Sequence, residues 1–211
     1  DLALLGTLGS VLPALETLHL SYEPAGPDGV QLLAEGLGAG ALPAVTQLHI
    51  LDFRVDDAGA SALAAALGRG AMPRLKSLVL SGVAIGDAGL VALAPALRRL
   101  LALERLDLTC NAFGDEGLAT LVAPPPPAGA PPPTTVVLTK LKLLDLGYTQ
   151  VTDAGCATLA AALSSGALPA LESLYLFGIS ANAAAKATVY EARANLKEGL
   201  ELESGSEAYE L

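Results

Sequence analysis

The sequence is short of most residues that carry recognisable chemistry. It has two cysteines, one methionine, no tryptophan and only 4% aromatic residues in 211 positions. The two cysteines, Cys110 and Cys156, make neither a disulfide framework nor a zinc set, and no CxxC pair occurs. Basic residues are scarce: 12 Lys and Arg stand against 22 Asp and Glu, a net charge of −10. Without a Lys/Arg cluster, that balance repels phosphate backbones and argues against a nucleic-acid partner. Long hydrophobic runs are missing too. The longest charge-free window of helical composition, 154–171, is broken by Ser164, Ser165, Gly166 and Pro169, so no transmembrane segment is expected. A GK[ST] phosphate loop, HExxH and GxSxG are all lacking, which removes three common nucleotide, zinc-protease and serine-hydrolase signatures.

What is present in excess is leucine and alanine, 44 and 40 residues. That share is too large for an average domain and asks for one packing unit used many times. A six-residue phrase recurs as LETLHL (15–20), VTQLHI (45–50), LKSLVL (75–80), LERLDL (103–108), LKLLDL (141–146) and LESLYL (171–176). Its starts lie 30, 30, 28, 38 and 30 residues apart. Apolar residues at the fourth and sixth places, around a variable fifth, predict a strand. A second phrase follows at fixed distance: VDDAG (55–59), IGDAG (85–89), FGDEG (113–117) and VTDAG (151–155). Asp57, Asp87, Asp115 and Asp153 fall where a helix N-cap belongs, so each is expected to cap the helix it opens. The glycine two places later is expected to permit close packing at the helix start. LLAEGL (32–37), ALAAAL (62–67), ALAPAL (92–97) and TLAAAL (158–163) then supply apolar helix faces. Gly-rich turns carrying Pro43, Pro73 and Pro169 return the chain to the next strand.

Each unit is therefore strand, loop, helix, turn, and none can bury its apolar face alone. Stacked, the strands make one parallel sheet and the helices one outer layer. On these motifs, LxxLxL followed by GDxG and LAxAL, the chain resembles the leucine-rich repeat family, in its longer, helix-containing ribonuclease-inhibitor-like subclass. The resemblance covers roughly residues 2–198. It implies an α/β solenoid or horseshoe, with a parallel sheet on the concave face, helices on the convex face, and a protein-binding role. One departure is plain: the family's Asn after the strand occurs only as Asn111, the matching places holding Glu23, Phe53, Val83, Thr149 and Ile179. The first copy also carries Pro27 at the Asp place.

Three parts are irregular. LALLGTLGSVLPAL at 2–15 matches the helix and return turn of a preceding unit, so either an upstream array or a truncated cap is expected, and the uncharged opening favours preceding or partner-covered sequence. The long unit holds PPPPAGAPPP at 124–133, which shortens the helix beginning near Leu118 and predicts a polyproline-II loop. It is a tolerated surface insertion or, less favoured, a contact for a proline-binding domain. At the far end a helix over 183–197, with Arg193 in place of a core leucine, reads as a polar terminal cap. Residues 1–198 form the array of six units, and 199–211 a degenerate terminal strand, with Leu200 and Leu202 at its fourth and sixth places, and an acidic tail.

Candidate site residues come from the variable fifth place and the strand exits. His19 and His49 share that place on neighbouring strands and are expected about 5 Å apart. With only Asp52 near as a third ligand, a metal site is not expected. Asp107 and Asp145 are adjacent in the same column, but acid/base work needs a pocket to separate their pKa values, and an open sheet face is not expected to supply one. No catalytic residue and no cofactor are assigned. Tyr148, Tyr175 and Phe177 are expected to cluster beside Asp107, Asp145 and Glu172, an aromatic patch with an acidic rim. Together with His19, Tyr22, His49 and Asp52, these form the predicted protein-binding surface on the concave face and its rim. The expected function is non-enzymatic protein–protein interaction, as a scaffold or structural subunit with a basic partner surface. The alternative is a regulatory or sensing array belonging to a larger receptor or GTPase-activating protein.

Overall fold

The computed structural model describes residues 13–21, 28–52, 54–122 and 137–198. The proline-rich stretch 124–133, the opening segment to residue 12, Tyr22, Phe53 and the tail from 199 lie outside the described residues.

Seven strands, β1 (Thr17–Ser21), β2 (Gln47–Leu51), β3 (Ser77–Ser81), β4 (Arg105–Asp107), β5 (Leu143–Asp145), β6 (Ser173–Tyr175) and β7 (Lys197–Glu198), form one sheet in chain order. Between them run helices α1 (Asp28–Gly36), α2 (Asp56–Gly68), α3 (Asp87–Leu97), α4 (Asp115–Val122), α5 (Asp153–Ser164) and α6 (Ala183–Glu191). Every strand pair is parallel. Register keeps equal repeat places side by side, so Leu48, Leu78, Leu106, Leu144 and Leu174 make one row. All five are buried. Hiding a leucine of this kind stabilises by roughly 1.5–3 kcal/mol, and each needs the next rung to hide it. Consecutive helices pack along the other side of the core. Ala60, Ala66, Ala94 and Ala162 are buried there, small enough to let the helix backbones approach.

The aspartates do not cap the helices they open. Asp57 accepts from the backbone N–H groups of Gly86 and Gly89, at 2.7 and 3.0 Å, in the start of α3. Asp87 accepts from Gly114 and Gly117 at the start of α4. Asp115 takes the N–H and hydroxyl of Thr152 before α5, and Asp153 the N–H and side-chain amide of Asn182 before α6. The carboxylate serves the next rung because its own first turn points it across the stack. That also explains the glycine. A Cβ on Gly89 or Gly117 would stand 2.5 or 2.9 Å from the previous rung's carboxylate oxygen, and one on Gly155 would collide with Asp115. Helix α2 follows the copy with Pro27 and is capped locally: Asp56 accepts from Ala58 and Gly59.

Beyond the strands, the place of the family asparagine is buried at Val83, Asn111, Thr149 and Ile179. Asn111 donates to the carbonyls of Leu80, Leu108 and Thr109 and accepts from Ile85 N–H, tying two rungs together. Thr149 keeps one of these bonds, to Leu146; Val83 and Ile179 keep only the burial.

At the C-terminal end α6 stops at Glu191, six residues before the expected end, and the chain turns into β7. Register sets Glu198 opposite Leu174, so the fourth strand place falls on Glu198 and not on Leu200. Arg193 takes the polar role expected of it. Its guanidinium donates to the carbonyls of Leu163, Ala167 and Leu168, the open C-terminal end of α5 and its turn. Arg69 does the same for α1, at Ala34 and Leu37. Among the described residues no helix is long and apolar enough to cross a membrane.

Candidate functional site

Alternation along β1 and β2 buries the second and fourth strand residues and turns the first, third and fifth outward. The outward residues of the first five strands line a hollow of about 500 Å³ on the concave sheet face. His19, His49, Val79, Asp107 and Asp145 run across its floor as one column, in register from strand to strand. Arg105, Thr109, Cys110, Tyr148 and Phe177 complete its sides.

The histidines are in contact, ring centroids 5.3 Å apart and edge to face. Burial and the neighbouring His19 and Arg105 hold His49 below the usual histidine pKa. Among the described residues no group of three or more His, Cys, Asp or Glu gathers as a metal-ligand set. Asp107 is 8% exposed and fully engaged: it accepts from the N–H and hydroxyl of Thr109, and its other oxygen faces Arg105 at 3.4 Å. Asp145 is different. One oxygen accepts from Gly147 N–H at 3.0 Å. Burial, reinforced by the charge of Asp107, raises its pKa to about 7 despite that bond. The sheet face is therefore not the open, fully solvated surface expected from the sequence: its outward side chains enclose a hollow in which burial separates Asp145 from an ordinary carboxylate. The Cys110 thiol at the rim is likewise pushed up, by burial and then by Asp107, Asp52 and Asp145.

The aromatic residues sit at the C-terminal end of the sheet. Tyr148 and Phe177 meet edge to face at 5.2 Å, and Tyr175 and Phe177 at 6.3 Å. Two glycines make room for them. The Phe177 ring lies where a Cβ on Gly147 would be, and the Tyr148 ring where one on Gly178 would be. Asp52 over Gly82 repeats the arrangement three rungs earlier in the stack. Asp52, Cys110 and Tyr148 share one strand-exit place, and all three adopt left-handed backbone, with φ of 48°, 56° and 53°. The glycines in that column, Gly82 and Gly178, share the conformation at φ 65°.

Of the residues assigned from sequence, His19, His49, Asp107, Asp145, Tyr148 and Phe177 come together around the hollow. Tyr175 joins through Phe177. Asp52 stands at the rim. Glu172 is exposed at the opposite, N-terminal edge of the sheet, where its charge acts on Lys142. That edge carries a row of charges in which Lys142 binds Glu104 at 2.8 Å. Tyr22 lies outside the described residues. Sequence reasoning put Val79 in the column of His19 and His49 without assigning it to the surface, and missed Arg105 and Thr109 as lining residues. Arg105 and Val79 occupy the third and fifth places of the phrase and Thr109 the residue just after it, so the signal was the phrase and its exit, read for all their outward places.

A seven-strand parallel solenoid with one helix per rung and its polar hollow on the sheet side is a leucine-rich-repeat architecture. The family described as "Leucine Rich repeat" matches residues 72–94, 102–122 and 137–160. Among solved structures it is similar to an internalin of Listeria monocytogenes, at 16% identity and a TM-score of 0.48, over 94% of this chain and 50% of that one. It therefore spans half the length of that internalin. It is also similar to leiomodin-1 actin-binding site 2, at 15% identity and a TM-score of 0.48, over 90% of this chain and 86% of that one. No curated protein matches the chain.

Proposed function

We propose that this chain is a non-enzymatic protein-interaction module that docks a partner on its concave sheet, as a scaffold or structural subunit of a larger complex. Its strand–helix units and the GDxG phrase favour the ribonuclease-inhibitor-like subclass. The observation that carries the reading is the cluster of Tyr148, Tyr175 and Phe177 at the end of the hollow, with Tyr148 left 52% exposed. Rigid aromatic rings beside buried polar groups are the anchors that dominate protein interfaces. His19, His49, Asp52, Asp107 and Asp145 supply the polar surround, Glu172 lies apart on the opposite edge of the sheet, and Tyr22 belongs to the same sequence column as Tyr148. Asp107 and Asp145, with the net charge of −10, favour a partner that presents a basic surface.

A photo-crosslinking residue at Gln47, on the concave face, or at Ser61, on the outer face of α2, tests the assignment in cells that make the protein. Discrete protein adducts are expected from Gln47 and not from Ser61. Adducts from Ser61 alone would move the docking surface to the helices.

A further inference from the structure

We propose that the hollow receives one lysine or arginine side chain of the partner protein, its charged head at the open oxygen of Asp145 and its stem against Tyr148 and Phe177. This rests on the docking reading and deepens it by naming the chemistry of the anchor.

The first support is the hydrogen-bond accounting. Both oxygens of Asp107 are engaged by Thr109 and Arg105. Asp145 has a partner for one oxygen only, Gly147 N–H. Among the described residues no buried side-chain polar atom lacks a partner, so its second oxygen is reached from the hollow. An oxygen in that position accepts from a donor that comes from outside.

Charge selects the donor. The ionisable groups facing Asp145 are Asp107 and Arg105 from β4, Tyr175 from β6, Tyr148 and Cys110 from the strand exits, and His49 and His19 across the floor. Arg105 is the only permanent cation among them, and Asp107 already holds it at 3.4 Å. Two carboxylates therefore share one guanidinium, whose charge reaches Asp145 as well as Asp107, and the floor keeps a net negative charge that rejects anions and is completed by a cation. The walls select the shape. Tyr148 and Phe177 present an edge-to-face pair at 5.2 Å beside that carboxylate. Aromatic faces attract ammonium and guanidinium groups and cover aliphatic stems, while the carboxylate takes the charge-assisted hydrogen bond. An anchor of this kind tolerates an open surrounding, because the rest of the partner covers the rim.

Burial holds the empty Asp145 near pKa 7, so the cation must compete with a proton. Burial, His19 and Arg105 hold His49 below its usual value, which disfavours its charged form in the hollow. Recognition therefore weakens as pH falls through 7.

The test uses the full chain, 15N-labelled, and acetylated, amidated Gly-Gly-Arg-Gly-Gly, its lysine analogue and its citrulline analogue. Amide shifts at Gly147 and Tyr148 are expected with the two cationic peptides at about millimolar concentration, and none with citrulline. Binding should be about tenfold weaker at pH 6 than at pH 8, the ratio of ionised fractions for a group titrating near 7. Asp145→Asn, whose amide oxygen keeps the Gly147 bond, should abolish the shifts. Equal binding of citrulline, a flat pH profile in wild type, shifts that survive in D145N, or no shift at about 10 mM would each overturn the proposal. Adducts at Gln47 without a preference for cationic peptides would remove this inference and leave the docking reading standing. Cationic binding without concave adducts would do the reverse.

Discussion

Asp145 and the two glycines beside the aromatic rings show how single residues shape the face. A carboxyl normally titrating near 3.8 is raised to about 7 by burial, so the folded chain holds a proton that the unfolded chain releases. Between those values folding takes up a proton, and the stability contributed by this group falls as pH rises. Above pH 7 both states are ionised and the dependence ends. Urea unfolding at pH 5 and pH 8 should therefore show wild type losing more stability than Asp145→Asn over that interval, by no more than about 3 kcal/mol. An equal pH slope in the two proteins would show that burial does not perturb Asp145. Gly178 makes a second prediction. Its φ of 65° and the Tyr148 ring against it leave no room for a methyl group. Gly178→Ala should lower stability by roughly 1–3 kcal/mol and displace Tyr148, read by the ring resonances of Tyr148 and Phe177. None of this crowding was legible in the sequence. An aromatic residue and a glycine 30 positions apart reveal nothing until the repeat has laid one over the other.

Elements were far more legible. The six hexameric phrases mark strands because alternation and burial on one face are local signals, and stacking by equal places follows from the period. The caps were misassigned because chain order makes Asp87 look like the first residue of its own helix, whereas its carboxylate meets Gly114 and Gly117 of the next rung. The strand at Lys197–Glu198 was anticipated, but Leu200 drew the register two residues late: pattern matching favours leucine, while the turn after α6 sets the alignment. Asp87→Ala should cost about 1–2 kcal/mol. Its signature is positional: amide hydrogen exchange should quicken at Gly114 and Gly117, at the start of α4, more than in the first turn of α3, where the substitution lies. Faster exchange confined to α3 would restore the local cap.

At the scale of the molecule, stability is nearly a sum over rungs and their interfaces. The last interface is held by Arg193, whose guanidinium closes the carbonyl end of α5. Arg193→Ala leaves those carbonyls with fewer partners and should loosen α6 and β7 by roughly 1–3 kcal/mol. Limited proteolysis would read this as earlier cleavage after Glu191, with α2 and α3 unchanged. The concave hollow is also a property of the whole array. No unit contains it; it exists because five successive strands set their outward residues side by side.

Since a GDxG unit hands an oxygen forward and accepts one from behind, a stretch of DNA encoding one unit could be copied in tandem without stranding a donor at either seam. Growth of such a protein is then permissive in length but not in direction, and a transplanted unit fits its new neighbour best when that successor brings a glycine to the place the incoming oxygen will occupy, or, as at Asn182, a side chain that reaches the oxygen itself.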